Sequence, residues 1–294
     1  MKRGIHIALF LVIGLHAIGQ TDLVAEAFRK YQDGALNEAR VLVQEALQSP
    51  DHAEDPEAWL LQGFILKDIF KSGDTIVDGR PARDEAIASL ARTIMLDSAG
   101  RYRDNAQQAY DFLAKTYFND AARALNELHP RRAGDLFEDY VSAMNALGRA
   151  TELNAKRIEF ENALGTVHTK LYNQDREDLT HYDLALRTYE RVLEVDPDNY
   201  GANYNLATLY YNRGVYNIQR IGAENDIPSL QRIQEVSRSF FMQALPYMLK
   251  AFEMNPKRRE TLLGLEGIYY SLQDTESSEH YRQLYEALGP EDDH

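Results

Sequence analysis

The sequence predicts an all-α protein: a right-handed α-α superhelical solenoid of about six helix pairs, with enlarged turns inside the pairs. Three observations carry that prediction. Asp183 to Gly214 reads as a helix, a turn closed by Asp196-Pro197, and a second helix, with small and aromatic residues at recurring offsets. Those offsets return along the chain, and self-similarity at a fixed period marks a repeat architecture. Hydrophobic residues make up 44% of the 294 residues, so a continuous core can form by packing alone in a chain with no Cys.

The first pair runs from about Asp22 to Ser49, with Ala27, Gly34, Ala39, Val43 and Ala46 at the diagnostic positions. The second opens on Asp55-Pro56-Glu57: an Asp N-cap, a Pro preset for the first turn, and an acid near the positive helix end. Trp59 and Gly63 follow, and Ala86, Leu90 and Thr93 supply its second helix. The third pair uses Leu113, Ala114 and Tyr117, then Ala133, Phe137 and Tyr140. The fourth uses Leu164 and Gly165, then Ala185, Tyr189 and Val192 before Pro197. The fifth has Leu206, Ala207 and Tyr210, then Ala244, Met248 and Ala251 before Pro256. The last has Leu265, Tyr269 and Tyr281, with Ser277 or Ser278 where the other second helices place Ala. Small residues let paired helices approach, and no pair can bury its apolar face without a neighbour.

This pattern resembles the tetratricopeptide (TPR) family, most specifically in the fourth and fifth pairs and least at the two ends. The resemblance implies first helices lining an inner groove, and binding in place of chemistry. The chain departs from the family in length. A plain unit has about 34 residues, and pairs two to five exceed it by roughly 11, 7, 8 and 25, always between first and second helix. The Gly and Pro of Ser72 to Pro81 read as an ordered loop. In the fifth pair, Tyr216 to Ile221 prolong the first helix and Leu230, Ile233, Val236 and Phe240 the second, with Gly222 and Pro228 in the turn. A further dozen or so residues around Met144 to Lys156 follow a helical pattern, and a sub-boundary near 145–157 stays open. Turns inside the pairs emerge on one edge, so the insertions build a shared feature that competes with the groove as the working face.

The N-terminus reads as a signal peptide over residues 1–19. Lys2 and Arg3 precede an apolar run from Ile5 to Ile18, and Ala17 and Gly19 sit where a signal peptidase reads, so mature protein is expected to begin at Gln20. Export to a periplasmic or extracellular space follows, with residues 20–288 as the TPR-like body and 289–294 as an acidic, disordered tail. The chain carries 32 basic and 46 acidic side chains, and cleavage would remove two of the bases. That surface disfavours nucleic acid and anionic membranes.

No HExxH, GxSxG, Walker A or GxGxxG motif occurs, and His52, His129, His168, His181, His280 and His294 show no metal-ligand spacing in sequence. Neither metal nor cofactor is expected. Offsets from the packing residues place Asp111, Lys115, Asn162, Thr166, Tyr204, Thr208, Tyr211 and Tyr270 on the groove. Tyr offers rigid amphipathic area and Asn pairs with backbone amides, which suits a peptide, although Tyr211 and Tyr270 could equally pack against the next repeat. The function expected is a non-catalytic adaptor for a cell-envelope protein or peptide, held in the groove or along the insertion edge. The alternatives are a TPR accessory subunit of a solute-uptake system holding a small ligand, and an all-helical enzyme. Asp178 falls in an expected loop, where its truncation should be close to neutral.

Overall fold

The computed structural model describes residues 22–73, 76–77, 80–222 and 226–289. Among them are twelve α-helices in six consecutive pairs and one short β-hairpin. The expected signal peptide at 1–19, and the tail beyond Gly289, lie outside the described residues. The chain divides into two compact units between Leu113 and Ala114. The division falls within a helix, and the stretch 145–157 belongs to the second unit.

In the first unit, α1 (Leu23–Gln32) pairs with α2 (Leu36–Leu47). Asp22 caps α1 by accepting from the Val24 amide at 3.0 Å, and Ala27, Ala39, Val43 and Ala46 are wholly buried between the two helices' neighbours. Helix α3 (Pro56–Ser72) begins as its sequence requires, with Asp55 accepting from the Glu57 amide at 2.9 Å. Its Gly63 lies against Leu90 of α4 (Ala82–Leu96), where an added Cβ would stand 2.7 Å from the Leu90 side chain. In the stretch between them two short strands pair antiparallel, β1 (Ile76–Val77) and β2 (Arg80–Pro81), with Ile76 opposite Pro81. Helix α5 (Arg103–Asn126) is fastened at its start by buried Asp97. That carboxylate accepts from the amides of Arg101, Tyr102 and Arg103 at 3.1, 2.7 and 2.8 Å, which satisfies donors that a helix start leaves open.

In the second unit, α6 (Pro130–Ala146) ends at a turn with Gly148 at φ +70, and a short 3-10 turn (Ala150–Glu152) leads into α7 (Leu153–Gln174). The stretch expected to extend flanking helices is thus only partly helical. Phe137 stacks on Phe160 across α6 and α7, centroids 4.1 Å apart and planes within 2°. Beyond them, α8 (Thr180–Val195), α9 (Tyr200–Gln219), α10 (Ile227–Met254), α11 (Arg259–Ser271) and α12 (Thr275–Glu286) each pack on the helix before. Helices α7, α9 and α11 also touch in turn, so these first helices share a layer. Glycines admit large partners: Gly165 takes Tyr189, Gly214 takes Phe241, and Gly264 takes Met248. Ser278 is buried where the other second helices have Ala, and its hydroxyl donates to the Glu266 carbonyl at 3.1 Å.

The fifth pair is lengthened in both helices. Pro228 lies in the first turn of α10 and not in the loop, where its missing N–H costs no helical bond. Asp226 caps that turn by accepting from the Ser229 amide at 2.9 Å. Pro246 sits inside α10, so the Met242 carbonyl has no ladder donor there.

Candidate functional site

The sequence-chosen groove residues of the second unit come together on its first helices. Asn162 on α7 donates through Nδ2 to Asn199 Oδ1 at 3.2 Å, and that same oxygen caps α9 by accepting from the Ala202 amide at 3.0 Å. Thr166 is exposed, with its hydroxyl donating to the Asn162 carbonyl at 3.0 Å. Tyr204 stacks on Tyr200, centroids 5.9 Å apart, and Thr208 donates to the Tyr204 carbonyl at 2.8 Å. Tyr211 tilts against Phe241 at 5.6 Å and lies over Gly267 of α11. These side chains are largely engaged with their own or adjacent helices. Tyr270 differs, being 77% exposed. On α5, Asp111 is half-buried and Lys115 exposed.

A cavity of about 670 Å³ opens on the insertion edge of the fifth pair. Its floor and one wall are apolar: Tyr182 from α8, and Ile233, Val236 and Phe240 from the lengthened start of α10. Tyr182 is 5% exposed, and its ring meets Tyr172 at 5.1 Å and Phe240 edge-on at 6.4 Å. Burial pushes its phenol well above the ordinary tyrosine range, so it stays protonated at any ordinary pH. Three guanidinium groups line the same cavity, from Arg213 on α9, Arg220 just past its end and Arg232 on α10, with Asp183 the acid among the lining residues.

These arginines differ in how they are held. Arg213 donates through Nη1 to the Tyr172 hydroxyl at 3.0 Å and to the Arg176 carbonyl at 2.9 Å. Arg220 pairs with Glu177 at 2.8 Å. Arg176, Arg213 and Arg220 all stand over the Tyr216 ring, at 5.7, 5.3 and 5.5 Å from its centroid. The Tyr216 hydroxyl donates to Glu177, and that bond, ahead of the pairing with Arg220, holds the Glu177 carboxyl below the usual range. Arg232 is exposed and has neither ion pair nor hydrogen bond among the described residues. The cavity is therefore an apolar cleft with a cationic rim, in a chain that is acidic as a whole.

The fold also joins two histidines that sequence spacing leaves apart. His168 Nδ1 of α7 lies 3.0 Å from His181 Nδ1 of α8, and His168 is 7% exposed. Burial first, then the neighbouring His181 and Arg191, lower His168 to about 4. Thirteen residues separate the two in sequence, so no short motif exposes the pair; only the register of one helix on the next does. Among the described residues no group of three or more His, Cys, Asp or Glu is placed to hold a metal ion. A second cavity of about 410 Å³ lies beside α7 and α8, where half-exposed Arg191 donates to nearly buried Glu161 through Nε at 3.3 Å and Nη2 at 2.6 Å.

No protein-family model matches the chain. Among solved structures, a monomeric IFIT1 mutant with Gppp-AAAA is similar at 14% identity and TM-score 0.37, over 91% of this chain and 59% of that one. The human IFIT1 dimer with m7Gppp-AAAA is similar at 15% identity and TM-score 0.32, over 91% of this chain and 60% of that one. This chain thus spans about 59% of the length of the first of those proteins. At such TM-scores the likeness carries neither their ligands nor their assembly over to this chain.

Proposed function

We propose that this chain is a non-catalytic, exported scaffold that holds a protein or peptide partner of the cell envelope along the edge of its lengthened fifth helix pair. The observation that carries the proposal is the half-open cavity of about 670 Å³ between α8, α9 and α10, in the volume range of binding clefts. Two exposed apolar side chains, Leu179 at 41% and Val236 at 46%, line it beside Ile233 and Phe240. Exposed apolar surface gathered in one place marks an interaction site more often than the same residues scattered singly. The groove has less to offer, because Asn162, Tyr204, Thr208 and Tyr211 are already engaged by neighbouring groups. Export rests on residues 1–19, and intact mass of the envelope fraction tests it: the mature species should start at Gln20.

Capture experiments with the mature chain as bait separate edge from groove. Val236→Glu places a charge on the apolar wall at an exposed position, and a partner seated on that wall should be captured about tenfold more weakly or worse. Tyr270→Ala removes the exposed aromatic of the first-helix layer and should leave capture intact. The reverse result would assign the partner to the groove.

The cavity volume favours one second reading, in which the same cleft holds a small ligand for a solute-uptake system.

A further inference from the structure

We infer that the fifth-pair cavity selects a ligand with a carboxylate head and an apolar body, an inference that rests on reading this edge as the binding site. The chain has 46 acidic against 32 basic side chains, yet this one cleft is lined by Arg213, Arg220 and Arg232 against Asp183 alone. A cationic cleft on an acidic protein draws anions toward itself from a surface that otherwise repels them.

Availability decides which groups can serve the ligand. Arg213 is committed through Nη1 to a hydroxyl and a carbonyl, and its position is thereby fixed. Arg220 shares its charge with exposed Glu177. Arg232 lines the cavity from α10 with no partner among the described residues, so a carboxylate can take both arms of its fork. An exposed guanidinium loses little hydration by pairing at the rim, while the apolar body gains by covering Ile233, Val236 and Phe240. A small mineral anion would leave that wall wet. A neutral apolar molecule would leave the Arg232 guanidinium without a counter-charge. The combination fits an amphipathic carboxylate, either a free organic acid or the C-terminus of a peptide with an apolar last residue.

Titration calorimetry on the mature chain tests this with four probes: 4-phenylbutyrate, its neutral amide, a short peptide ending in a free Phe carboxylate, and the same peptide amidated. At least one acid should bind, each acid at least about tenfold tighter than its amide, and Arg232→Gln should weaken that acid by about tenfold. Lys170→Gln removes an exposed cation from α7 and should leave affinity unchanged, which separates the site from a general charge effect. Preference for phenylbutyrate assigns a free acid, and preference for the peptide a chain terminus. Equal binding of acid and amide, or wild-type affinity in Arg232→Gln with its thermal midpoint unchanged, overturns the carboxylate assignment. Under that result, loss of capture in Val236→Glu still supports the edge as binding site. Silence of all four probes at about 10 mM, together with full capture by Val236→Glu, overturns both.

Discussion

Tyr189 of α8 lies so close to Gly165 of α7 that a Cβ on the glycine would stand 2.6 Å from Tyr189 Cε1. The ring is 1% exposed and belongs to the same buried cluster as Ala185 and Val192. Gly165→Ala would gain about 1 kcal/mol of helix propensity and meet an overpacking penalty of about 1–3 kcal/mol. The penalty should win, so the variant is expected to melt at lower denaturant than the parent. An increase in midpoint would mean that the two helices can separate without loss.

The neighbouring Ala185 is wholly buried. Ala185→Glu would place an unpaired carboxylate between these packed helices and should cost about 3 kcal/mol or more. Asp178→Ala serves as its exposed comparison, although not a silent one. Asp178 accepts from the Thr180 amide at 2.8 Å at the start of α8, and the hydrogen bonds from Thr180 hold its carboxyl below the usual range. The loop reading from sequence missed this role. Asp178→Ala should therefore lower the midpoint measurably, Asp178→Asn should restore much of it, and both should remain far above Ala185→Glu.

The packing register was legible in sequence because it is local. Ala185, Tyr189, Val192, Leu206 and Ala207 recur at helical offsets, and all are buried. The cap at Asp55 was legible for the same reason, since an N-cap acts within three residues. What escaped depends on distant partners. The hairpin at Ile76 to Pro81 needs strand pairing that six residues do not announce, and Pro228 reads as a turn until its place in α10 is known. The cationic cleft joins Arg213 and Arg220, seven residues apart along and just past α9, to Arg232 of α10, and no spacing rule links that third arginine to the other two. Of the two readings the sequence left open for Tyr211, groove or contact with the next repeat, the ring's place over Gly267 of α11 matches the contact.

The His168–His181 pair gives stability a pH dependence. With Nδ1 facing Nδ1 at 3.0 Å, one ring must donate and the other accept, so the pair cannot be doubly charged in place. His168 is lowered to about 4 from an ordinary 6.5. The folded state then keeps it neutral across a window in which the unfolded chain takes up a proton. Its contribution is whole above the unfolded value and drains away as pH falls from 6.5 toward 4, by at most about 1.4 kcal/mol per pH unit. Other acids titrate lower in the same range, so the comparison needs His168→Gln. Urea midpoints at about pH 7 and about pH 5 should fall less in the variant than in the parent. Parallel falls would remove His168 from the account.

Arg213 links three parts of the edge, and its removal should loosen one of them selectively. Its Nη1 donates to the Tyr172 hydroxyl and to the Arg176 carbonyl, and its guanidinium stands over Tyr216. The bond to Arg176 ties the turn between α7 and α8 to α9. Arg213→Met keeps apolar volume but leaves that carbonyl and the buried Tyr172 hydroxyl without this donor. Hydrogen bonds from a charged group contribute about 1.5–3 kcal/mol, and the partly exposed position favours the lower figure. The turn should open more often than the helices it joins, since local openings draw on the weakest packing. Amide hydrogen exchange should therefore speed up over residues 175–179 while the core of α8 around Ala185 and Tyr189 stays protected. Arg232→Gln, which breaks no bond among the described residues, should leave exchange in that turn unchanged. If Arg213→Met exchanges as the parent does, the cleft's arginines are interchangeable surface charges and the division of roles between Arg213 and Arg232 fails.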